Sequence, residues 1–277
     1  MKTIATLLAL AIVCQFATAQ NTLELTYGFR HYQRQDLTFS PLIFKGLAPL
    51  NLGLSYQKSG EKSQTSIGLN LAGFASRSVA AFDYTKWNES EPLTTLPSNF
   101  WLIDLGASHL RRVGGAAERT TWYAGLSLDV QLGALFYDFG EYGAFGYTTI
   151  ASLSPTVVGK WHFGEKNSLQ FSAKLPLLNW LARSPYAIND DDFIERQSSH
   201  RGLKTLLRLS ADGHLASLDQ AQAGSFSAKF QRKINEKWAA SLGYNFALLR
   251  SQDPHPLTAI ENGVVVGIAW AWSKSIK

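Results

Sequence analysis

Asp212 and His214, in the sequence Asp212-Gly213-His214, are the residues whose types and spacing best suit chemistry. A carboxylate two positions from a histidine can orient the imidazole so that it accepts a proton as a general base. The alternative is a polar loop around Gly213. The sequence favours the loop, because a single Asp-x-His pattern arises readily by chance.

A second group of polar residues could hold a metal ion. Asp190, Asp191 and Asp192, with Glu195 nearby, could supply carboxylate oxygens to Ca²⁺. They lack the ligand spacing and the glycine of an EF-hand loop, so a solvated acidic loop is favoured. The chain has no phosphate-binding loop, dinucleotide fingerprint or helical histidine pair. Its net charge of +5 is spread diffusely. We therefore predict no cofactor, no metal and no nucleic-acid partner.

The N-terminal segment predicts export. Met1-Lys2 precedes an apolar run from Ile4 to Phe16, and Ala17-Thr18-Ala19 has the small-x-small pattern of a signal-peptidase site. We predict a signal peptide at 1–19 and one mature domain at 20–277. The only cysteine, Cys14, lies within the signal, so the mature domain has no disulfide framework. The longest later apolar run, Val264 to Trp272, is nine residues, too short for a membrane helix.

Strict two-residue periodicity predicts that the mature domain is built of strands. From Thr120 onward, apolar side chains alternate with small and polar ones for about a dozen positions. Ten segments show this alternation, and several of them are near the length that a tilted strand needs to cross a membrane. They are Leu23 to Arg30, Leu50 to Gln57, Thr65 to Gly73, Trp101 to Ala107, Thr120 to Gly133, Ala151 to Phe163, Leu169 to Leu175, Phe226 to Phe230, Trp238 to Leu248 and Val264 to Trp272.

The connections between these segments alternate between short and long. Short polar turns are typical of the periplasmic end of outer-membrane barrels, and long loops of the extracellular end. The predicted long loops are 31–48, 75–99, 134–149, 177–223 and 250–262. Within Arg201 to Ala223, the residues Leu203, Leu206, Leu207 and Leu209 could form an extra hairpin, which leaves twelve strands as the alternative to ten.

The distribution of charge indicates which face of each strand meets lipid. The apolar faces carry no Asp, Glu, Lys or Arg, and they carry aromatic residues near the segment ends, as membrane-facing girdles do. A secreted β-sandwich with these aromatics in its core is the alternative. The aromatic residues are Tyr27, Tyr56, Trp101, Trp122, Trp161, Trp238, Trp270 and Trp272, and the charged residues of the opposite faces are Glu24, Arg30, Asp104, Arg112, Asp129, Lys160, Lys174 and Lys229.

The whole mature chain resembles the Gram-negative outer-membrane β-barrel proteins in architecture. It departs from them at its end, where Ser273 to Lys277 follow Trp272, although the family usually ends on an aromatic residue. The resemblance implies an all-β antiparallel transmembrane barrel in the cell outer membrane after Sec-dependent export. It also implies contact with outer-membrane lipid and lipopolysaccharide, and with the barrel assembly machinery.

Asp212-Gly213-His214 is similar to the Asp-x-His dyad of the omptins, which are ten-stranded outer-membrane proteases. That resemblance implies a second acidic pair across the barrel mouth. Asp83 lies in a suitable external loop, but the residue two positions along is Thr85 rather than an acid.

A ten-stranded barrel has a narrow interior, which predicts a lumen packed with polar side chains. We expect Glu24, Asp104 and Asp129 to pair there with lumen cations, because unpaired charges in a confined interior are costly. The predicted role is structural or surface-binding and non-catalytic. A surface ligand could bind through the aromatic loop Phe136 to Tyr147. The alternatives are an omptin-like hydrolase and a small selective channel.

Overall fold

The computed structural model describes residues 20–79, 81–114, 119–138, 143–188, 196 and 202–273. The predicted signal peptide and the acidic residues Asp190, Asp191, Asp192 and Glu195 lie outside the described residues. In the described part of the chain, no helix combines the length and the apolar character needed to cross a membrane.

Ten strands close into one antiparallel barrel, in which β1 pairs with β2 on one side and with β14 on the other. The predicted fold class and strand number are therefore confirmed. In ring order the strands are β1 (Gln20–Asp36), β2 (Ser40–Ser59), β3 (Ser63–Ala75), β6 (Asn99–Gly114), β7 (Thr120–Asp138), β8 (Gly143–Phe163), β9 (Asn167–Lys174), β12 (Ala221–Lys233), β13 (Trp238–Ser251) and β14 (Leu257–Ser273).

The remaining elements lie in two long connections at one end of the barrel. A small hairpin of β4 (Asp83–Tyr84) and β5 (Leu93–Thr94) lies between β3 and β6. Strand β10 (Leu178–Arg183), helix α1 (Gly202–Ala211) and β11 (His214–Ala216) lie between β9 and β12. We call this the extracellular end. The end with short turns, one of them made by Gly164 at φ 65°, is the periplasmic end.

Apolar side chains cover the outside of the barrel, as the periodicity predicts. On β1 the residues Leu23, Leu25, Tyr27 and Phe29 are exposed on the outer surface, whereas Glu24 and Gly28 face the lumen and are buried. Aromatic residues predicted near the segment ends cluster at the periplasmic end. Trp122 contacts Trp161 at 5.3 Å between ring centroids, and Trp270 stacks on Trp272 at 4.6 Å. These rings suit the boundary between lipid chains and headgroups.

Three predicted long loops are mostly strand, which corrects the loop boundaries. Only Leu37 to Phe39 separate β1 from β2, β7 and β8 extend to Asp138 and from Gly143, and β13 and β14 are five residues apart. The pattern changes because these extensions stand above the lipid: on β1 the outward residues His31, Gln33 and Gln35 are polar and the inward Tyr32 is buried. Polar outward positions on β1 interrupt the lipid-facing pattern there.

The twelve-strand alternative is wrong for the barrel itself. Strands β10 and β11 extend the sheet beside β8, but β9 and β12 close the ring below them. Leu203, Leu206 and Leu207 belong to α1 and not to a hairpin. Their spacing of three and four residues is the period of a helix, which side-chain composition alone did not distinguish from a strand.

Candidate functional site

A cluster of buried aromatic rings closes the extracellular half of the lumen. Tyr32, Phe44, Phe74, Phe100 and Tyr137 come from β1, β2, β3, β6 and β7, and all point inward. Phe100 is at the centre, with ring centroids 5.0 Å from Phe74, 5.3 Å from Tyr137 and 5.7 Å from Phe44. We call these five residues the aromatic cap. Aliphatic residues from the opposite wall complete this core, among them Leu181, Leu249 and Leu257.

A buried ion cluster packs beside the aromatic cap. Asp36 accepts hydrogen bonds from Arg34 at 2.6 Å and from Arg183 at 2.7 Å, and all three side chains are almost fully buried. Arg34 also donates to Thr148 on β8, five strands away in the ring of ten, so this contact crosses the whole lumen. Asp36 lies above the apolar belt. Its burial acts to raise the pKa of the carboxyl group, but the two guanidinium groups have the larger effect and hold that pKa below its ordinary value.

A polar chamber of about 570 Å³ lies below the cap. Its centre is bridged by Arg30, which donates to Asp104 at 2.6 Å and to Glu261 at 3.0 Å. Gln131 donates to the same two carboxylates at 3.0 and 2.9 Å, and thereby joins β7 to β14 on the opposite wall. Because single side chains reach across it, the lumen is narrow at this level.

The predicted lumen ion pairs are confirmed for all three acids. Lys229 pairs with Glu24 at 2.6 Å, Lys174 with Asp129 at 2.7 Å, and Arg30 with Asp104. Among the described residues, Lys160 has no acidic partner; Lys229 and Lys233 are its charged neighbours. The chamber can therefore hold water and a small polar solute, but its acids and bases largely neutralise one another.

His214 lies at the extracellular rim, where its Nε2 is 3.0 Å from Oδ2 of Asp253. The acid at ion-pair distance is thus Asp253, in the β13–β14 connection, while Asp212 is the first residue after α1. Sequence reasoning did not find Asp253, because a pairing between residues on separate loops leaves no local pattern. The assignment of Asp212 and His214 as a catalytic dyad stays a prediction.

Asp83 lies in the connection between β3 and β6, in the β4–β5 hairpin. Its carboxylate accepts a hydrogen bond from the Thr94 hydroxyl at 2.6 Å within that hairpin. The structure describes no contact that brings Asp83 together with Asp212 or His214. A role for Asp83 as an acidic partner stays a prediction as well.

The segment Phe136 to Tyr147 contributes to both faces of the barrel wall. Tyr137 belongs to the aromatic cap, whereas Phe136 and Phe145 face outward with ring centroids 5.3 Å apart. Together with Leu96, Pro97 and Ile188 they line an external pocket of about 440 Å³. Residues 139–142 lie outside the described residues. An apolar pocket of this size above the membrane can accept the face of a ring or an apolar side chain.

The aromatic cap has a signal in the sequence that lies outside the ten lipid-facing segments. Tyr32 is in phase with the lumen residue Arg30, and Phe100 is out of phase with the outward Trp101. Aromatic residues in lumen phase at the extracellular ends of several strands indicate that the lumen is filled there. The ion cluster gave no such signal, because Asp36 and Arg183 lie 147 positions apart.

The fold and the lumen define the class: this protein is a ten-stranded antiparallel transmembrane β-barrel, closed inside at its extracellular end. No family model matches the chain, and no curated protein matches it. Among solved structures, it is similar to outer membrane protease OmpT from Escherichia coli, with a TM-score of 0.48, 7% identity, and coverage of 92% of this chain and 97% of that one.

Two further similar structures are also Gram-negative outer-membrane barrels. The translocator domain of autotransporter NalP from Neisseria meningitidis has a TM-score of 0.41 and 10% identity, over 97% of this chain and 94% of that one. Neisserial surface protein A has a TM-score of 0.37 and 9% identity, over 90% and 96%. Because these identities and TM-scores are low, the assignment to the transmembrane β-barrels depends on the barrel of this chain itself: its closure, its apolar outer face and its polar lumen.

Proposed function

We propose that this chain is exported, inserts into the outer membrane as a closed barrel, and acts by binding at its extracellular face rather than by conduction or catalysis. The observation that carries the proposal is the aromatic cap. A lumen filled by packed rings and crossed by Arg34 and Gln131 offers no continuous aqueous path, because interiors packed this densely exclude water.

Conductance in planar lipid bilayers tests the closed lumen. We expect no stable current steps from the parent protein. The double variant Phe100→Ala, Tyr137→Ala removes two rings of the cap and should produce steps. The matched control is Trp101→Ala, Phe136→Ala, which removes two rings from the same strands on the outer face and should stay silent. Stable steps from the parent protein would refute the proposal.

The external pocket is the proposed ligand site, since Phe136 and Phe145 present apolar surface above the lipid belt. The mature chain lacks cysteine, so an environment-sensitive naphthyl label can be attached at Leu96→Cys on the pocket edge. We expect its emission to be blue-shifted relative to the same label at Asn88→Cys, an exposed loop position. Phe136→Ser should abolish that shift. Equal emission at the two sites would contradict a binding pocket.

A hydrolase is the second candidate, and the contact between His214 and Asp253 favours it, because a carboxylate can orient a neutral imidazole for general-base catalysis. The test compares peptide cleavage by the parent protein and by His214→Ala. Cleavage by the parent alone would establish the hydrolase. Absence of cleavage in both leaves binding as the function.

A further inference from the structure

Helix α1 packs against the outside of the barrel and not over its mouth. Trp180 and Thr149, which face outward on β10 and β8, both contact it: the Trp180 indole donates to the Ser210 carbonyl at 2.8 Å, and the hydroxyls of Thr149 and Ser210 lie 2.9 Å apart. Leu209 is buried between the helix and the wall, with Tyr147 and Ala182. The helix is therefore fixed on the surface that continues downward into the lipid belt.

The register of the strands gives the height of α1 above that belt. Leu153 and Leu178 form a cross-strand pair and are both exposed on the outer surface. Trp180 lies two residues above this pair and Thr149 four residues above it. At about 3.3 Å per residue and a strand tilt of about 40°, these distances correspond to roughly 5 and 10 Å along the membrane normal. The polar interfacial layer extends roughly 5–8 Å beyond the hydrocarbon core, so Trp180 lies within this layer and Thr149 at its outer edge.

The side of α1 that faces away from the barrel is apolar and basic. Leu207 is 62% exposed, and Lys204 and Arg208 are exposed beside it, one helical turn apart. Leu215 on β11 lies opposite Trp180 in the sheet and is 60% exposed. We call Lys204, Leu207, Arg208 and Leu215 the α1 shelf. Exposed leucines of this size are disfavoured in water and suit the edge of the lipid chains.

Among the residues that the structure describes, no carboxylate pairs with the cations of the α1 shelf. Helix α1 contains no acidic residue. In the described part of the chain, Lys204 forms no ion pair, and Arg208 uses one donor on the Arg196 carbonyl at 3.4 Å. Asp212, the nearest acid in sequence, pairs with neither. Two cations at headgroup height, next to leucines at the edge of the lipid chains, complement a lipid that carries phosphate above its acyl chains.

We propose that the α1 shelf is a binding site for a phosphorylated lipid of the outer leaflet, with Lys204 and Arg208 on the phosphates and Leu207 and Leu215 against the acyl chains. The site is continuous with the apolar belt and lies on the side of the barrel where α1 packs. It is independent of the closed lumen and of the external pocket, so conductance or surface binding can fail without affecting it.

The test uses native mass spectrometry of the full barrel in neutral detergent, with lipid A that carries two phosphates or with the same lipid dephosphorylated. Each cation near an anionic lipid contributes roughly fivefold to binding, so Lys204→Gln, Arg208→Gln should lower retention of phosphorylated lipid A about 30-fold. Both substitutions preserve helix propensity. Lys166→Gln, Lys237→Gln removes two exposed charges at the periplasmic turns and should leave retention unchanged.

Two further measurements keep the result interpretable. Heat-modifiable gel migration reports whether each variant is folded. Leu207→Ser removes acyl contact without a change of charge, and should lower retention of both forms of the lipid while the preference for phosphate persists. Equal retention by the parent and the folded Lys204, Arg208 variant would overturn the proposal. So would equal retention of phosphorylated and dephosphorylated lipid, or full competition by millimolar inorganic phosphate.

Discussion

The substitution Asp36→Asn tests whether the ion cluster at the aromatic cap stabilises the barrel. The change keeps the shape of the side chain but removes the negative charge between Arg34 and Arg183. Both guanidinium groups are then left buried, with side-chain exposures of 3% and 2%. The neutral amide can accept from one arginine, but its NH₂ group faces the other as a second donor.

The expected loss is about 3–5 kcal/mol, the range for breaking a buried ion pair by removal of one partner. Three contacts to the carboxylate support a value in this range: those from Arg34 at 2.6 Å, from Arg183 at 2.7 Å and from the Thr38 amide at 3.1 Å. Adding Arg183→Met to Asp36→Asn removes one of the two buried guanidinium groups that would otherwise lack an acidic partner. The double variant should therefore be more stable than the sum of the two single changes by about 1–2 kcal/mol.

Urea unfolding of the barrel in phospholipid bilayers, followed by heat-modifiable migration, measures these free energies. The pKa of Asp36 is lower in the folded protein than its ordinary value of 3.8. Its stabilising contribution is thus complete above that value and is lost as the pH falls through the folded pKa. The difference in the free energy of unfolding between the parent and Asp36→Asn should be equal at about pH 8 and pH 5, and should decrease only below about pH 4. A loss under about 1 kcal/mol at neutral pH would refute the reasoning.

The remaining predictions concern the cap, the lumen and the barrel seam. Phe100→Ala should cost about 3–5 kcal/mol in the same urea titration, and Phe100→Leu should cost less, since leucine fills more of the volume of the ring and leaves a smaller cavity in the cap. Equal losses would contradict a packed cap. Lys229→Met should lower the free energy of unfolding by about 1–3 kcal/mol, less than the loss of a fully buried ion pair, because Lys229 is 28% exposed. Adding Glu24→Gln should recover most of this loss, because it removes the carboxylate that is left without a partner. No recovery would show that the broken ion pair is not the cause of the loss. Gly28→Ala should prevent formation of the heat-modifiable folded form, because the new Cβ would collide with the Val264 backbone where β1 meets β14. The control is Gly68→Ala, which should fold, because the atom nearest to its new Cβ, on Ser55, is 3.7 Å away.

The elements of the barrel were largely predictable, with particular exceptions. The outward face of β7 follows the predicted alternation residue by residue, and Lys174 pairs with Asp129 as expected. The extension of β1 is not recognisable as a strand from the sequence, because its outward residues His31, Gln33 and Gln35 are polar and lack the apolar face of the lipid-facing segments. Helix α1 was not predicted, since ten residues are too few for the leucine spacing to stand out from that of a strand.

The sequence by itself determined that the chain forms membrane-spanning strands and which face of each strand meets lipid. Each outward residue needs only to be apolar, whatever its neighbours in the fold, because it contacts lipid rather than another part of the chain. The lipid-facing surface therefore appears in the sequence as a local alternation with a period of two. Only the tertiary structure decided that aromatic rings fill the extracellular half of the lumen, that His214 lies beside Asp253, and that α1 rests on the outer wall. Those features join residues that are tens to hundreds of positions apart, and the closure of the ring is what brings them together.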